Sequence, residues 1–400
     1  MEKEQKTITN ANEVRQNKLN VPTLRFKEYV NPWNQKVFNE TFDILTNNTL
    51  SRAELNYENG EYKNIHYGDV LIKFPAHIDT SSPDVPYIND ENASKKFDSA
   101  LLHNGDIVFA DTAEDYAVGK ATEIEITAEC KVVSGLHTIP CRPKMRFSPR
   151  YLGYFVNSPK YHNQLIPYIQ GVKVSSISKT LIKNTTISYP SLEEQTKIAS
   201  FLSCLDEKIA VQNKIISKYE TLIKGLCDKI FRHNKMVSLS DLVICKTSTL
   251  QENEVVNENG GQYNVFGASG IIASVSKYQF DRNAILVLKD GSKAGKIQYA
   301  SGKYSVVGTS VILMPKIESD AKYLYFAMLA IDLGPYKVGS GIPHIYFKDY
   351  SSEKIYYPDE TQRNRIEKAL TTYETKLGVE KRMLSALQKQ KAFLLQSMFI

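Results

Sequence analysis

No apolar run reaches the roughly 18 residues that a membrane-spanning helix needs. The N-terminal stretch, residues 1–19, is polar and mixed in charge and lacks the apolar core of a signal peptide. The five cysteines (Cys130, Cys141, Cys204, Cys227, Cys245) are odd in number and contain no Cys-x-x-Cys pair. That pattern argues against a disulfide scaffold or a zinc site and fits a reducing cytosol, so a cytoplasmic protein is expected. A strong excess of one charge is also missing. With 50 basic and 44 acidic residues, the net charge of +6 permits nucleic-acid binding without arguing for it.

Catalytic signatures are missing as well. Gly291-Ser292-Lys293-Ala294-Gly295-Lys296-Ile297 is one residue short of a phosphate loop and lacks the Ser/Thr that would hold magnesium. It reads, with Gly119-Lys120, as a glycine turn after a strand whose lysine reaches solvent or phosphate. Phe266-Gly267-Ala268-Ser269-Gly270 has its glycines misplaced for a methyltransferase cofactor loop, and Asn31-Pro32-Trp33 lacks the second proline of the amino-methyltransferase motif. Pro83-Asp84 could open a nuclease signature, but the available Glu374-Thr375-Lys376 falls on a helical segment. The seven histidines show no metal-ligand spacing, and His137 reads as a satisfied or DNA-facing side chain. The chain is expected to hold no active site, cofactor or metal of its own.

What the chain does have is a segment written twice. Ile187-Ser188-Tyr189-Pro190 opens a pattern that runs to Phe231, and Ile355-Tyr356-Tyr357-Pro358 opens its copy, 168 residues later, ending at Phe399. Ile198, Leu202, Leu205, Ile209, Gln212 and Ile216 step by fours and threes, and the same seam returns at Ile366, Leu370, Tyr373, Leu377, Glu380 and Leu384. Such spacing predicts two helices of about 35–40 residues, roughly 50–60 Å each. The seam is too long and narrow for two helices filling one small core. Gln212 falls on Glu380, Lys391 interrupts the second seam where the first has Ile223, and Glu194-Gln195 falls on Gln362-Arg363. An antiparallel pair would bring Gln212 and Glu380 together near its middle, where a polar pair could fix the register.

A block rich in short β-type runs precedes each helix, giving segments 1–23 (N-terminal), 24–186 (first block), 187–235 (first helix), 236–354 (second block) and 355–400 (second helix). The blocks share faint landmarks. Ala117-Val118-Gly119-Lys120 matches Lys293-Ala294-Gly295-Lys296, Gly135 matches Gly308, Tyr151-Leu152 matches Tyr323-Leu324, and Gly171 and Ile177 recur as Gly339 and Ile345. The second block is only slightly basic, with 14 Lys/Arg against 11 Asp/Glu over residues 232–354. The fold class expected is α+β: two mixed α/β globular domains and two long helices forming an antiparallel coiled coil, with a pseudo-twofold internal repeat. Matched spacers carrying divergent blocks suit a protein that recognises two different things.

Taken in order, these landmarks resemble the DNA specificity subunit of type I restriction–modification enzymes. The resemblance rests on Asn20-Val21-Pro22-Thr23-Leu24-Arg25-Phe26, Gly68-Asp69-Val70-Leu71-Ile72, Asn104-Gly105-Asp106-Ile107-Val108 and Gln170-Gly171-Val172, and on Glu194-Gln195 followed by Ile198. Tyr263-Asn264-Val265-Phe266-Gly267-Ala268-Ser269-Gly270 looks like the opening of a second recognition domain. The second copy departs from the pattern at Val338-Gly339 and Gln362-Arg363. The resemblance implies two target recognition domains, each reading half of a bipartite site on double-stranded DNA, and helices that set the spacer. It also implies docking of two modification subunits that methylate adenine with S-adenosylmethionine. Restriction subunits that use ATP and Mg would join them, while this chain catalyses nothing. DNA-contact candidates are Lys120, His137, Tyr263, Asn264, Arg282, Lys289, Lys293 and Lys296. The rival reading is a coiled-coil scaffold that does not bind DNA; a self-contained restriction or methylating enzyme fits less well.

Overall fold

The computed structural model describes residues 20–90, 95–127, 130–171, 174–232, 236–255, 260–339 and 341–400. Residues 1–19, read above as free of a leader, lie outside that set, as do Val172 of the quoted motif and 233–235 at the end of the first repeated segment. Among the described residues no helix is long and apolar enough to cross a membrane. All five cysteines are free thiols. The chain divides into two units, Met1–Ala210 with Ser385–Ile400, and Val211–Leu384. The divisions cut through both long helices rather than falling between helix and block.

The main strands of the first unit are β1 (Phe42–Ile44), β2 (Tyr62–Ile65), β3 (His77–Asp79), β4 (Ile107–Ala110), β5 (Ala121–Glu125), β6 (Lys131–Ser134) and β7 (Thr138–Pro143). Five of them form a sheet in the order β1-β7-β4-β5-β3, antiparallel except for β5 with β3. The central strand β4 is an unbroken apolar run because every one of its residues is buried. The parallel pair β6–β2 anchors a second sheet. Helix α1 (Tyr67–Ile72) follows β2, and α2 (Tyr151–Val156) and α3 (Pro159–Leu165) follow β7. Only glycine fits at 153, since a Cβ there would lie 2.1 Å from the Ala76 carbonyl oxygen.

The second unit repeats this plan with β8 (Val243–Thr247), β9 (Tyr263–Gly267), β10 (Gly270–Val275), β11 (Ala284–Leu288), β12 (Ile297–Ala300), β13 (Tyr304–Val306) and β14 (Ser310–Pro315). Its main sheet runs β8-β14-β11-β12, the counterpart of β1-β7-β4-β5, and a parallel pair β9–β13 matches β2–β6. Hydrogen bonds fix the correspondence residue by residue. Asp111 N–H donates to His137 O, and Ile177 N–H donates to Asp111 O; Lys289 N–H donates to Thr309 O, and Ile345 N–H to Lys289 O. Gly119 and Gly295 both have positive φ, 86° and 85°, and both close a turn by donating back to the end of the central strand. The matching of Gly135 with Gly308 is corrected by one residue: Gly135 N–H bonds Ile65 O, and its counterpart Val307 bonds Phe266 O.

Helix α4 spans Leu192–Phe231, α5 Ala321–Leu329 and α6 Glu360–Ser397. In the first unit Ile198, Leu202 and Leu205 share a core with Leu394, Met398 and Phe399, and Asp206 pairs with Lys391 at 2.5 Å. The start of α4 is tied to the end of α6 through one short segment: Arg25 bonds Glu194 while the neighbouring Leu24 N–H donates to Ser397 O. In the second unit Ile223, Cys227 and Phe231 share a core with Leu370, while Gln212 Nε2 donates to the Glu380 carboxylate at 2.5 Å and to its carbonyl at 3.1 Å. Early residues of one helix meet late residues of the other in each unit, so the pair runs antiparallel. Of the remaining seam positions, Ile216 is buried and Ile209, Ile366, Tyr373, Leu377 and Leu384 are half-buried.

Candidate nucleic-acid interface

In the first unit, polar and aromatic side chains gather where β2 enters α1. His66 caps that helix, its Nδ1 accepting from Gly68 N–H at 3.1 Å. Burial and the neighbouring Arg52 guanidinium push the His66 pKa down to about 4, so the ring is neutral at physiological pH. Asp69 is buried and takes Arg52 at 2.7 Å and Lys73 at 3.4 Å. Both cations also donate to the hydroxyl of exposed Tyr57, at 3.0 and 2.9 Å. Tyr67 lies against His66 and meets the His137 ring edge-on, with centroids 5.2 Å apart.

His137 is exposed at the β6–β7 turn with φ +54°, a left-handed backbone that a non-glycine residue seldom adopts. Its Nδ1 stands 3.4 Å from Asp111 Oδ1, and Thr112 Oγ1 donates to that same carboxylate oxygen at 2.7 Å. Lys179 donates to Asn47, which in turn donates to the Gly135 carbonyl beside this turn. The ensemble offers two imidazoles, two carboxylates, hydroxyls and three cations around aromatic rings. Those are the groups that contact base edges and phosphates in duplex DNA.

The second unit carries different chemistry on the same frame. Lys289 stands where the first unit has Asp111, and Thr309 where it has His137. Asp290 binds His344 Nδ1 at 2.8 Å, and Lys293 and Lys296 extend from the Gly291–Gly295 turn into solvent. A separate group lies at the start of β9. Tyr263 packs edge-on to Tyr278 and accepts from Gln262 Nε2 at 2.8 Å, Lys303 sits over the Tyr278 ring at 4.8 Å, and Asn264 is exposed.

Two expected contacts are placed otherwise. Lys120 turns inward: its ammonium donates to the Leu71 carbonyl at 2.8 Å, and burial lowers its pKa. Of the two expected destinations, solvent or phosphate, the first is therefore corrected for Lys120, whereas its counterpart Lys296 does reach solvent. Arg282 is tethered to Glu318 at 3.2 Å and to the Pro315 carbonyl at 3.3 Å, and joins neither group. Sequence reading missed Arg52, Tyr57, His66, Tyr67 and Lys73, whose only advance signal was a local density of tyrosine, histidine and basic residues. Among the described residues no group of three or more His, Cys, Asp or Glu side chains is placed to hold a metal ion.

Comparison with known proteins bears on this geometry. A family model described as the type I restriction modification DNA specificity domain matches residues 31–221 and again 232–389. The protein named for the type I restriction enzyme MjaX specificity subunit of Methanocaldococcus jannaschii is 35% identical over 130 residues, 32% of this chain and 30% of that protein. The MjaVIII specificity subunit of the same organism is 27% identical over 123 residues, 30% of this chain and 28% of its own length. The aligned stretch thus spans under a third of each relative. Among solved structures, the type I restriction–modification S subunit of M. genitalium superposes with a TM-score of 0.60 at 16% identity, covering 95% of this chain and 99% of that one. A chain from a study of complex assembly and conformational transition in the type I system gives 0.52 at 15% identity, covering 91% and 96%.

Proposed function

Because the chain belongs to the type I restriction–modification DNA specificity family, we propose that each of its two units reads one half of a bipartite site in double-stranded DNA. The observation that carries this reading is the pair of matched frames bearing different side chains. Asp111 and His137 in the first unit face the same hydrogen bonds as Lys289 and Thr309 in the second. A carboxylate with an imidazole favours base-edge donors and acceptors that differ from those an ammonium favours, so the half-sites differ in sequence.

In this reading the paired helices α4 and α6 set the unspecified spacer and dock two modification subunits. Those partners carry S-adenosylmethionine, and restriction subunits bring ATP and Mg. This chain supplies recognition and no catalytic group, and it works in the cytoplasm.

Mapping methylated adenines in a host that expresses this chain with its modification partner tests the proposal. His137→Ala is expected to relax one half-site only, and Lys289→Ala the other; a relaxed position is worth about 1–3 kcal/mol of discrimination. Inserting seven residues into α4 and seven into α6 is expected to change the spacer and leave both half-sites intact. If the chain shows no salt-dependent affinity for duplex DNA, a scaffold role replaces this one.

A further inference from the structure

Two oddities of the sequence converge in the first unit: the lysine of Gly119-Lys120, and Lys391, which breaks the apolar seam of α6. Both line one cavity of about 400 Å³, together with Tyr154, His162, Phe74 and Leu395. Most of the polar groups around it are already engaged, half-buried His162 with the backbone of Tyr116 among them. Lys391 is neutralised by Asp206 at 2.5 Å, and the same carboxylate accepts from Tyr154 OH at 2.8 Å. The side chain of Asn157 is spent on the backbone of Ala121 and Gly153. Lys120 has only the Leu71 carbonyl, and among the described residues no carboxylate pairs with it.

A half-buried ammonium without a counter-charge is costly, and the cost falls when an anion enters. Burial already lowers the Lys120 pKa, with the Lys391 charge contributing in the same direction. The cavity therefore carries one uncompensated positive charge beside a second ammonium, and its apolar walls strengthen the attraction. We propose that this cavity is an oxyanion site that takes a phosphate group, held between Lys120 and Lys391. The volume accommodates a phosphoryl group with several waters, at roughly 30 Å³ per water.

The group can come from a free phosphate or phosphomonoester, or from the backbone of bound DNA, and the experiment separates these sources. Inorganic phosphate is titrated into the full chain at constant ionic strength, with chloride as the control. Phosphate-specific binding is expected, at least tenfold weaker in Lys120→Met and retained in Lys120→Arg. In parallel, the salt dependence of binding to a generic duplex is measured for both variants. If the phosphate belongs to DNA, Lys120→Met lowers the slope by about one unit; if it is free, the slope is unchanged. Should Lys120→Met fail to fold, Lys391→Ile replaces it, carrying the residue that the first helix has at that place. Phosphate heats no larger than those of chloride, with a duplex slope that neither lysine alters, overturn the proposal.

Discussion

The two units solve one packing problem in opposite ways. Where each long helix begins, a side chain must hold the loop that precedes α2 or α5. In the first unit Gln195 accepts from Ser148 N–H at 2.9 Å and donates to Pro190 O at 2.9 Å. In the second, Arg363 donates to Asp320 at 3.1 Å and to Pro358 O at 2.7 Å. Asp320 also accepts from Tyr357 OH, and the Arg363 guanidinium stacks 4.2 Å over that tyrosine ring. The departure at Gln362-Arg363 is thus compensated by a change at 320 that no local motif announces. The cations are distributed differently too. Asp206 of α4 takes Lys391 from the facing helix, while its counterpart Glu374 of α6 takes Lys322 from the start of α5 at 2.5 Å. That exchange accounts for the seam break at Lys391, with Ile223 at its counterpart. One frame tolerates a neutral or a charged joint provided both partners change together.

The largest test of this contrast removes one partner. Asp320→Ala leaves Arg363 buried without a counter-charge and is expected to cost about 3–5 kcal/mol. Hydrogen exchange should show earlier opening in residues 211–384 with the first unit unaffected, and equal loosening of both units would break the comparison. A pH test comes next. Glu123 is buried and accepts from Arg150 N–H and Gly153 N–H, while Tyr299 occupies its place in the second unit. Burial, with a smaller push from Glu125, raises its pKa from 4.5 to about 7 in the folded chain. The folded state therefore holds the proton more tightly. Its contribution is full below about pH 4.5 and is lost as pH rises through 7, by up to about 3 kcal/mol. His66, whose pKa is lowered, contributes the opposite slope in the same unit, so the test is the difference: the melting temperature of the first unit in the native chain relative to Glu123→Gln should fall over that window, and a difference that does not change with pH would assign the dependence elsewhere.

Smaller effects sharpen the joint itself. Gln195→Ala forfeits two hydrogen bonds to backbone but strands no charge, and about 1–3 kcal/mol is expected from chemical denaturation. Asp320→Asn combined with Arg363→Gln removes both charges of the second joint. It should cost only about 1 kcal/mol, well below Asp320→Ala alone. A double variant as damaged as the single one would show that the unpaired cation is not the cause.

Much of the architecture was legible because it is written in short-range periodicity. The four-three steps from Ile198 to Ile216 and their return at Ile366 to Leu384 require only a helix with one apolar stripe, which neighbouring residues determine. Apolar runs at 107–110 and 284–288 likewise mark buried central strands. The candidate interface was far less legible. Arg52, Tyr57, Tyr67, Lys73 and His137 meet across more than 80 residues of chain, and no spacing rule connects them. Lys120 and Lys296 share a Gly-Lys turn, yet one ammonium turns inward to Leu71 and the other faces solvent, which the turn alone does not dictate.

The repeat, the helix pair with its polar Gln212–Glu380 slot and the family to which the chain belongs were all readable from the residues, since each rests on order and period along the chain. Packing between distant segments settled which partners hold each helix start, which candidate lysine turns inward to a carbonyl, and which side chains the two frames present at equivalent places. Those outcomes depend on hydrogen bonds and burial between residues far apart in sequence, where a change at one position has meaning only beside its partner.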